Sequence, residues 1–298
     1  MSASVEEGRY SMRWRLGAET ELLVLSDGTA RFDGGAMFGV VPKALWSRVV
    51  VADAENRVTV GLNTVVVRCG GRTVVIETGF GEKLPPKPAG IYGAQARLLD
   101  AFAEAGIALG SVDTVINTHL HWDHCGWNTR FSGEGGRVAP TFPNAQYYAH
   151  AGEIADGRAQ RERDGVSYVA ANYEPLLAMG QMQALTLGCG EELEIAPGIA
   201  VELFPGHTPQ MMAVHIRDGA TGSRACYISD LVPTAAHLPL SWGLGFDLDP
   251  LRTIEEKKRF YARAIAEDWL VLFTHEPGMP GGYLEVAKGG GARLRTSG

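Results

Sequence analysis

Four side chains able to bind a metal fall within one hexapeptide, His119-Leu120-His121-Trp122-Asp123-His124. It follows an apolar run, residues 112–117, that reads as a short buried strand. On an extended segment alternate side chains point to the same side, so the imidazoles of His119 and His121 can reach one ion. Asp123 and His124 come where the chain turns and present a carboxylate and a third imidazole to a neighbouring point. The chain has only eight histidines in 298 residues, so three of them in one hexapeptide is far above a chance density. The segment reads as a metal site.

That cluster alone would leave two ions incompletely held. Three later candidates each stand at the C-terminal end of an apolar run: His207 after residues 201–206, Asp230 after 226–229, and His275 after 271–274. Strands that each end in a ligand gather a metal site at one edge of a layered fold. His237, seven residues beyond Asp230, is open to two readings. It could hydrogen-bond a ligand or pass a proton to a leaving alcohol, or it could be structural. His215, inside a strand-like run, and His150, at the start of a helix or turn, read as structural. Met37, Phe38, Trp122, Trp242 and Phe246 are candidates for an apolar wall beside the metals, Trp122 foremost because it sits inside the metal loop. Such a wall favours an acyl chain or aromatic substituent.

The elements that must position these residues begin as strands. Residues 14–25 end at a turn signal, Ser26-Asp27-Gly28; residues 58–69 and 73–76 flank Gly70-Gly71 and predict a hairpin, with Asn63 a point of irregularity. Residues 33–42 are too glycine-rich for a regular element and too apolar for a plain surface loop, which suits a pocket lining. Helices are predicted over 95–105, much of 150–180, and 250–268; further strands over 146–149, 200–204, 212–216, 225–229 and 270–273. Lys257, Lys258 and Arg259 read as the exposed face of the last helix. Hairpins followed by strand–helix alternation, twice over, suggest two sheets between helices in one domain spanning 1–298. About ten N-terminal and twelve C-terminal residues are expected to be mobile.

Composition narrows the function. A net charge of −7, with no basic run, disfavours a nucleic-acid partner and points to a small-molecule substrate. Cys69, Cys125, Cys189 and Cys226 are widely spaced, so a reducing compartment is the expectation. Without an apolar leader or a run of about 20 apolar residues, no membrane partner is expected and the placement reads as cytoplasmic.

His-x-His-x-Asp-His, the later Gly206-His207-Thr208-Pro209, Ser229-Asp230 and Thr274-His275 together resemble the metallo-β-lactamase superfamily over about residues 58–275. The resemblance implies an αββα sandwich, in agreement with the order of elements. It implies a first ion held by His119, His121 and His207, a second by Asp123, His124 and His275, and Asp230 bridging them. Such ligands suit two divalent ions, Zn2+ best, with Fe, Mn or Co as alternatives. Two ions about 3.5–4 Å apart would share a hydroxide that attacks the substrate. Asp123, Asp230 and, in the active reading, His237 would then serve the reaction.

Within the superfamily the chain looks most like the quorum-quenching branch that opens N-acyl-homoserine lactones. The residues behind this are 33–43, Phe142-Pro143-Asn144-Ala145, and Asp230-Leu231-Val232-Pro233-Thr234 followed by His237. They are also compatible with methyl-parathion-type organophosphate or aryl-ester hydrolases. A mononuclear-iron persulfide dioxygenase is a third reading, disfavoured because Asp123, His124 and His275 are all retained. The resemblance also admits a homodimer, with the segment around Phe38 covering a neighbour's site. Two departures stand out. Some lactonases carry a tyrosine shortly after the bridging aspartate, where this chain has Pro233, and Gln210 follows Pro209 where glycine is common.

Overall fold

The computed structural model describes residues 5–7, 11–133, 135–288 and 290–295. Its first sheet runs in the order β1 (Val5–Glu7), β2 (Ser11–Leu16), β3 (Thr20–Asp33), β4 (Arg57–Cys69), β5 (Arg72–Ile76), β6 (Thr114–Ile116), β9 (Gln146–His150), β10 (Met182–Leu185). A separate ribbon pairs β7 (Thr129–Phe131) with β8 (Val138–Pro140). The second sheet is β11 (Glu192–Ala196), β12 (Ile199–Leu203), β13 (Met212–Arg217), β14 (Arg224–Tyr227), β15 (Leu270–Leu272), β16 (Gly281–Val286), β17 (Ala292–Leu294).

Period-two alternation builds the layers. Leu22, Val24, Val65, Val67, Val74 and Ile76 face inward and pack against Val201, Met212, Val214, Tyr227 and Leu272 of the second sheet. Their neighbours Leu23, Leu25, Val66 and Val75 point outward, to α4 (Leu98–Glu104), α6 (Ala151–Ala159) and α7 (Glu174–Ala178). On the far side Phe260, Tyr261 and Ala264 of α8 (Pro250–Ala266) cover Ala213, Cys226, Val271 and Phe273. Helix, sheet, sheet and helix follow one another, the expected αββα order. Strands covered on both faces lose the polar half of the pattern, which is why β4 is buried almost throughout. The predicted hairpin is present: Gly70 and Gly71 have φ of 54° and 73°, and Val65 pairs with Ile76.

Several expectations are corrected. Ser26-Asp27-Gly28 is not a turn but a bulge inside β3, where the register shifts between Ser26 and Thr29. Asp27 is buried, and its carboxylate accepts from the backbone N–H of Phe80 (2.8 Å) and Leu98 (2.6 Å) and from the Trp127 indole (3.0 Å). Burial pushes its pKa up to about 7 despite these donors. Residues 33–42 are not wholly irregular. Asp33 caps a short helix, α1 (Gly34–Phe38), by accepting from Ala36 N at 3.0 Å. The helix α2 (Lys43–Trp46) follows it, and a further short helix, α3 (Pro86–Tyr92), lies beyond β5. Lys257 is not on an exposed face. Its buried ammonium donates to the carbonyls of His237 (2.8 Å) and Trp242 (2.6 Å), which no strand partner satisfies. Of the ends expected to be mobile, residues 1–4, 8–10, 289 and 296–298 lie outside the described residues, whereas Ala292–Leu294 pairs with β16. All four cysteines are free. No helix among the described residues is long and apolar enough to cross a membrane.

Candidate metal centre

Four strand ends meet at one edge of the sandwich. Beyond β6 the chain leads through Thr118 into His119 and His121, and Trp122 opens α5 (Trp122–Cys125), which carries Asp123 and His124. His207 follows β12, Asp230 follows β14 and His275 follows β15. The two sheets are tied together here: Met212 N donates to Thr118 O (2.9 Å) and Gly61 N to His275 O (2.9 Å). Asn63, the irregular residue of β4, donates its side-chain amide to Phe273 O (2.9 Å) and Glu276 O (2.8 Å). Close backbone approach fixes the loop itself. A Cβ on Gly126 would collide with Phe80 O, so α5 can sit against residues 80–81 only with glycine there.

Besides the overlapping group Glu77, His119 and His124, the result is two separate groups of three ligand atoms, each within 4.8 Å of one another: His119, His121 and His207, and Asp123, His124 and His275. Asp230 stands between them. Its Oδ2 lies 3.4 Å from Nε2 of both His207 and His124, and its Oδ1 lies 3.3 Å from His275 Nε2. Nε2 of His119 and His121, both ring nitrogens of His124 and Oδ1 of Asp230 are buried with no hydrogen-bond partner. Unpaired buried polar atoms are costly, and so many in one place fit the lone pairs of a cation site.

Surrounding groups select the ring tautomers. Asp247 Oδ1 and Gly61 O can only accept, so Nδ1–H of His207 (3.2 Å) and of His275 (3.0 Å) donates to them and Nε2 is left with a lone pair. Glu77 Oε2 approaches His124 Nδ1 at 3.7 Å while its Oε1 accepts from Thr118 N at 2.8 Å. Glu77 and Ser229, both beside the cluster, adopt left-handed φ of 62° and 54°. Burial and the neighbouring imidazoles push His119 and His121 well below the usual histidine range, so both are neutral. Burial opposes charge on His124, yet Asp230, Asp123 and Glu77 drive it up to about 10. The carboxylates therefore demand positive charge at this point, from a proton or from a metal.

Among the wall candidates, Met37, Trp122 and Phe246 line the cleft above these ligands, together with Phe32, Val60, Tyr92 and Leu244, which the sequence pattern did not single out. Phe38 and Trp242 do not line it. Phe38 is stacked between Trp46 (5.1 Å) and His237 (4.8 Å), and Trp242 meets Phe38 edge-on. The active reading of His237 is corrected as well. Its ring is fully buried, Nε2 is 2.8 Å from Met37 O and Nδ1 is 2.8 Å from Thr234 Oγ1. Burial lowers its pKa to about 3, so it is a neutral pin for α1 with no free nitrogen for substrate. His215 pairs with Glu202 at 2.8 Å on β13, and His150 Nδ1 accepts from Gly152 N, as structural residues do. Glu77, Asp247 and Glu153 were missed. Glu153, 0% exposed, binds Thr208 and Leu120 N and so braces both histidine loops.

A two-sheet sandwich that gathers imidazoles and carboxylates at one edge is the frame of a metal-dependent hydrolase. A family model described as the metallo-beta-lactamase superfamily matches residues 58–275, and the chain belongs to that superfamily. It is similar over nearly its whole length to solved structures. One is a probable metal-dependent hydrolase from Staphylococcus aureus, 24% identical, covering 94% of this chain and 98% of its own, with a TM-score of 0.81. Another is the hydrolase AbOPH of the beta lactamase superfamily, at 20% identity, 98% and 99% coverage and a TM-score of 0.78. A third is AidC, a dizinc quorum-quenching lactonase solved with the product N-hexanoyl-L-homoserine, at 18% identity, 99% and 98% coverage and a TM-score of 0.76.

Proposed function

We propose that this protein is a dinuclear zinc hydrolase that opens lactone rings, N-acyl-homoserine lactones above all. The observation that carries the reading is the pair of ligand triads with Asp230 between them. His119, His121 and His207 would hold one ion, Asp123, His124 and His275 the other, and Asp230 would touch both. Bound there, the ions would polarise a carbonyl and bring the pKa of water towards neutral. The chain's own residues do the rest. Asp247, Gly61 and Glu77 hold the imidazoles in register, and Phe32, Trp122 and Phe246 keep bulk water from the reacting bond and receive an apolar group. Among the described residues, the thiol and hydroxyls nearest the histidine loop are already engaged. Cys125 donates its thiol to Leu120 O and His121 O beneath the loop, and the Thr118 and Ser229 hydroxyls bond one another at 2.7 Å.

The apolar cleft and the likeness to a lactonase support a lactone with an acyl substituent, and the likeness to AbOPH keeps a phosphotriester or aryl ester as the second reading. The test is metal content combined with a panel of N-acyl-homoserine lactones, aryl esters and phosphotriesters. Two zinc ions per chain and fastest turnover on a lactone are expected. Undiminished turnover by metal-free protein, or one iron per chain with persulfide oxidation, would sink the proposal.

A further inference from the structure

Six polar side chains line the cleft, and five belong to the triads or are Asp230. The sixth is Tyr92, the last residue of α3. Gly93, in a left-handed conformation at φ 58°, ends that helix by donating to Ala89 O at 2.9 Å. The Tyr92 ring is wedged between Phe32 (4.9 Å) and Trp122 (4.8 Å), so the direction of its hydroxyl is set by packing. Four other tyrosines spend their hydroxyls within the protein: Tyr147 on Asn128 O (3.0 Å), Tyr168 on Glu153 (3.1 Å), Tyr227 on Asn63 O (2.9 Å), Tyr261 on Leu238 O (2.8 Å); the hydroxyl of Tyr173 is buried without a partner but does not line the cleft. Among the described residues no protein group takes up the hydroxyl of Tyr92, although the ring is half-buried. A phenol is protonated at neutral pH, so the hydroxyl is available as a donor.

We propose that the Tyr92 hydroxyl orients the substrate, donating a hydrogen bond to an acceptor oxygen that lies outside the bond being cleaved, such as an amide carbonyl on the acyl arm. This rests on the hydrolase reading and adds to it the residue that would distinguish esters or lactones carrying a second acceptor from those without one. The helix α3 thereby supplies a phenol in a chain that has Pro233 in place of a tyrosine after Asp230. A hydrogen bond made equally in the ground and transition states changes KM and leaves kcat alone.

The experiment compares zinc-loaded wild type with Tyr92→Phe, which keeps the ring contacts. Two lactones are used, one with an amide in its side arm and one with an alkyl arm of the same length. On the amide-bearing lactone KM is expected to rise about three- to tenfold, with kcat and Tm unchanged, as for the loss of one neutral hydrogen bond. On the alkyl lactone the two proteins are expected to agree. Equal KM values on the amide lactone, an equal penalty on both lactones, or a fall in kcat alone would overturn the assignment while leaving the hydrolase reading intact. If zinc-loaded wild type turns over neither lactone, nor any member of the ester and phosphotriester panel, the hydrolase reading falls and takes the assignment with it.

Discussion

Among the described residues two clusters combine histidine with carboxylates, and they behave in opposite ways. At the strand-end edge, imidazoles and Asp230 converge with buried nitrogens and an oxygen left unpaired. On the back of the second sheet, Glu192, Glu202 and His215 also bring three ligand atoms together. There Glu202 is already answered: Arg259, Arg263 (2.7 Å) and His215 (2.8 Å) all donate to it. Burial works to raise the Glu202 pKa, but these hydrogen bonds outweigh it and bring the pKa down to about 2. A metal site is therefore distinguished less by residue type than by charge left uncompensated. The back cluster is a structural ion-pair network, with Arg259 also lying 4.0 Å over the Phe204 ring.

The sharpest break of that contrast is Asp230→Ala. Removing the carboxylate between the triads is expected to cost on the order of 10³-fold in kcat/KM and to lower bound metal, measured by turnover and elemental analysis. Chelation of the wild type should do the same, reversibly. Asp247→Ala frees the His207 ring to turn and is expected to weaken metal binding about 10- to 100-fold in a competition titration, with little change in Tm of the metal-free protein. Glu202→Ala should do the reverse. Arg259 and Arg263 each lose one partner while keeping Glu256 and Glu192, stability falls by about 2 kcal/mol in chemical denaturation, and metal content stays the same. Because the Glu202 pKa is depressed by folding, its contribution is complete above the ordinary value of 4.5 and is lost as pH falls through about 2. Glu202→Gln should accordingly flatten the acid limb of the stability curve. The smallest effect on activity is expected for His237→Ala, although the buried cavity and the two partners left unpaired cost about 2–4 kcal/mol of stability. Its kcat should remain within about threefold of wild type; a collapse of kcat at unchanged metal content would return His237 to the reaction.

Much of this candidate site was legible before any fold was known, because its candidate ligands are dense and local. His119 to His124 share one loop, and His207, Asp230 and His275 each end an apolar run. Strand alternation in β4 and β5 likewise announced a sandwich, and Gly70-Gly71 its hairpin. The supporting residues were not legible. Glu77 lies 47 positions before His124 and Asp247 lies 40 after His207, with no period or motif to connect them. His237 carried a misleading signal: its closeness in sequence to Asp230 suggested chemistry, but its ring turns away to Met37 and Phe38. Ser26-Asp27-Gly28 misled in the same way. Its composition is that of a turn, but donors from three other segments satisfy Asp27 and let the strand continue.

What the sequence determined by itself is the metal-binding chemistry and the layered frame, since both follow from residue type and short-range period. The tertiary structure alone decided which strand ends meet, which carboxylates are answered by arginine and which wait for a cation, and that Tyr92 rather than Phe38 or Trp242 faces the cleft. Those outcomes depend on packing across the core between segments far apart in the chain. A local pattern records which face of an element is buried, not what it is buried against.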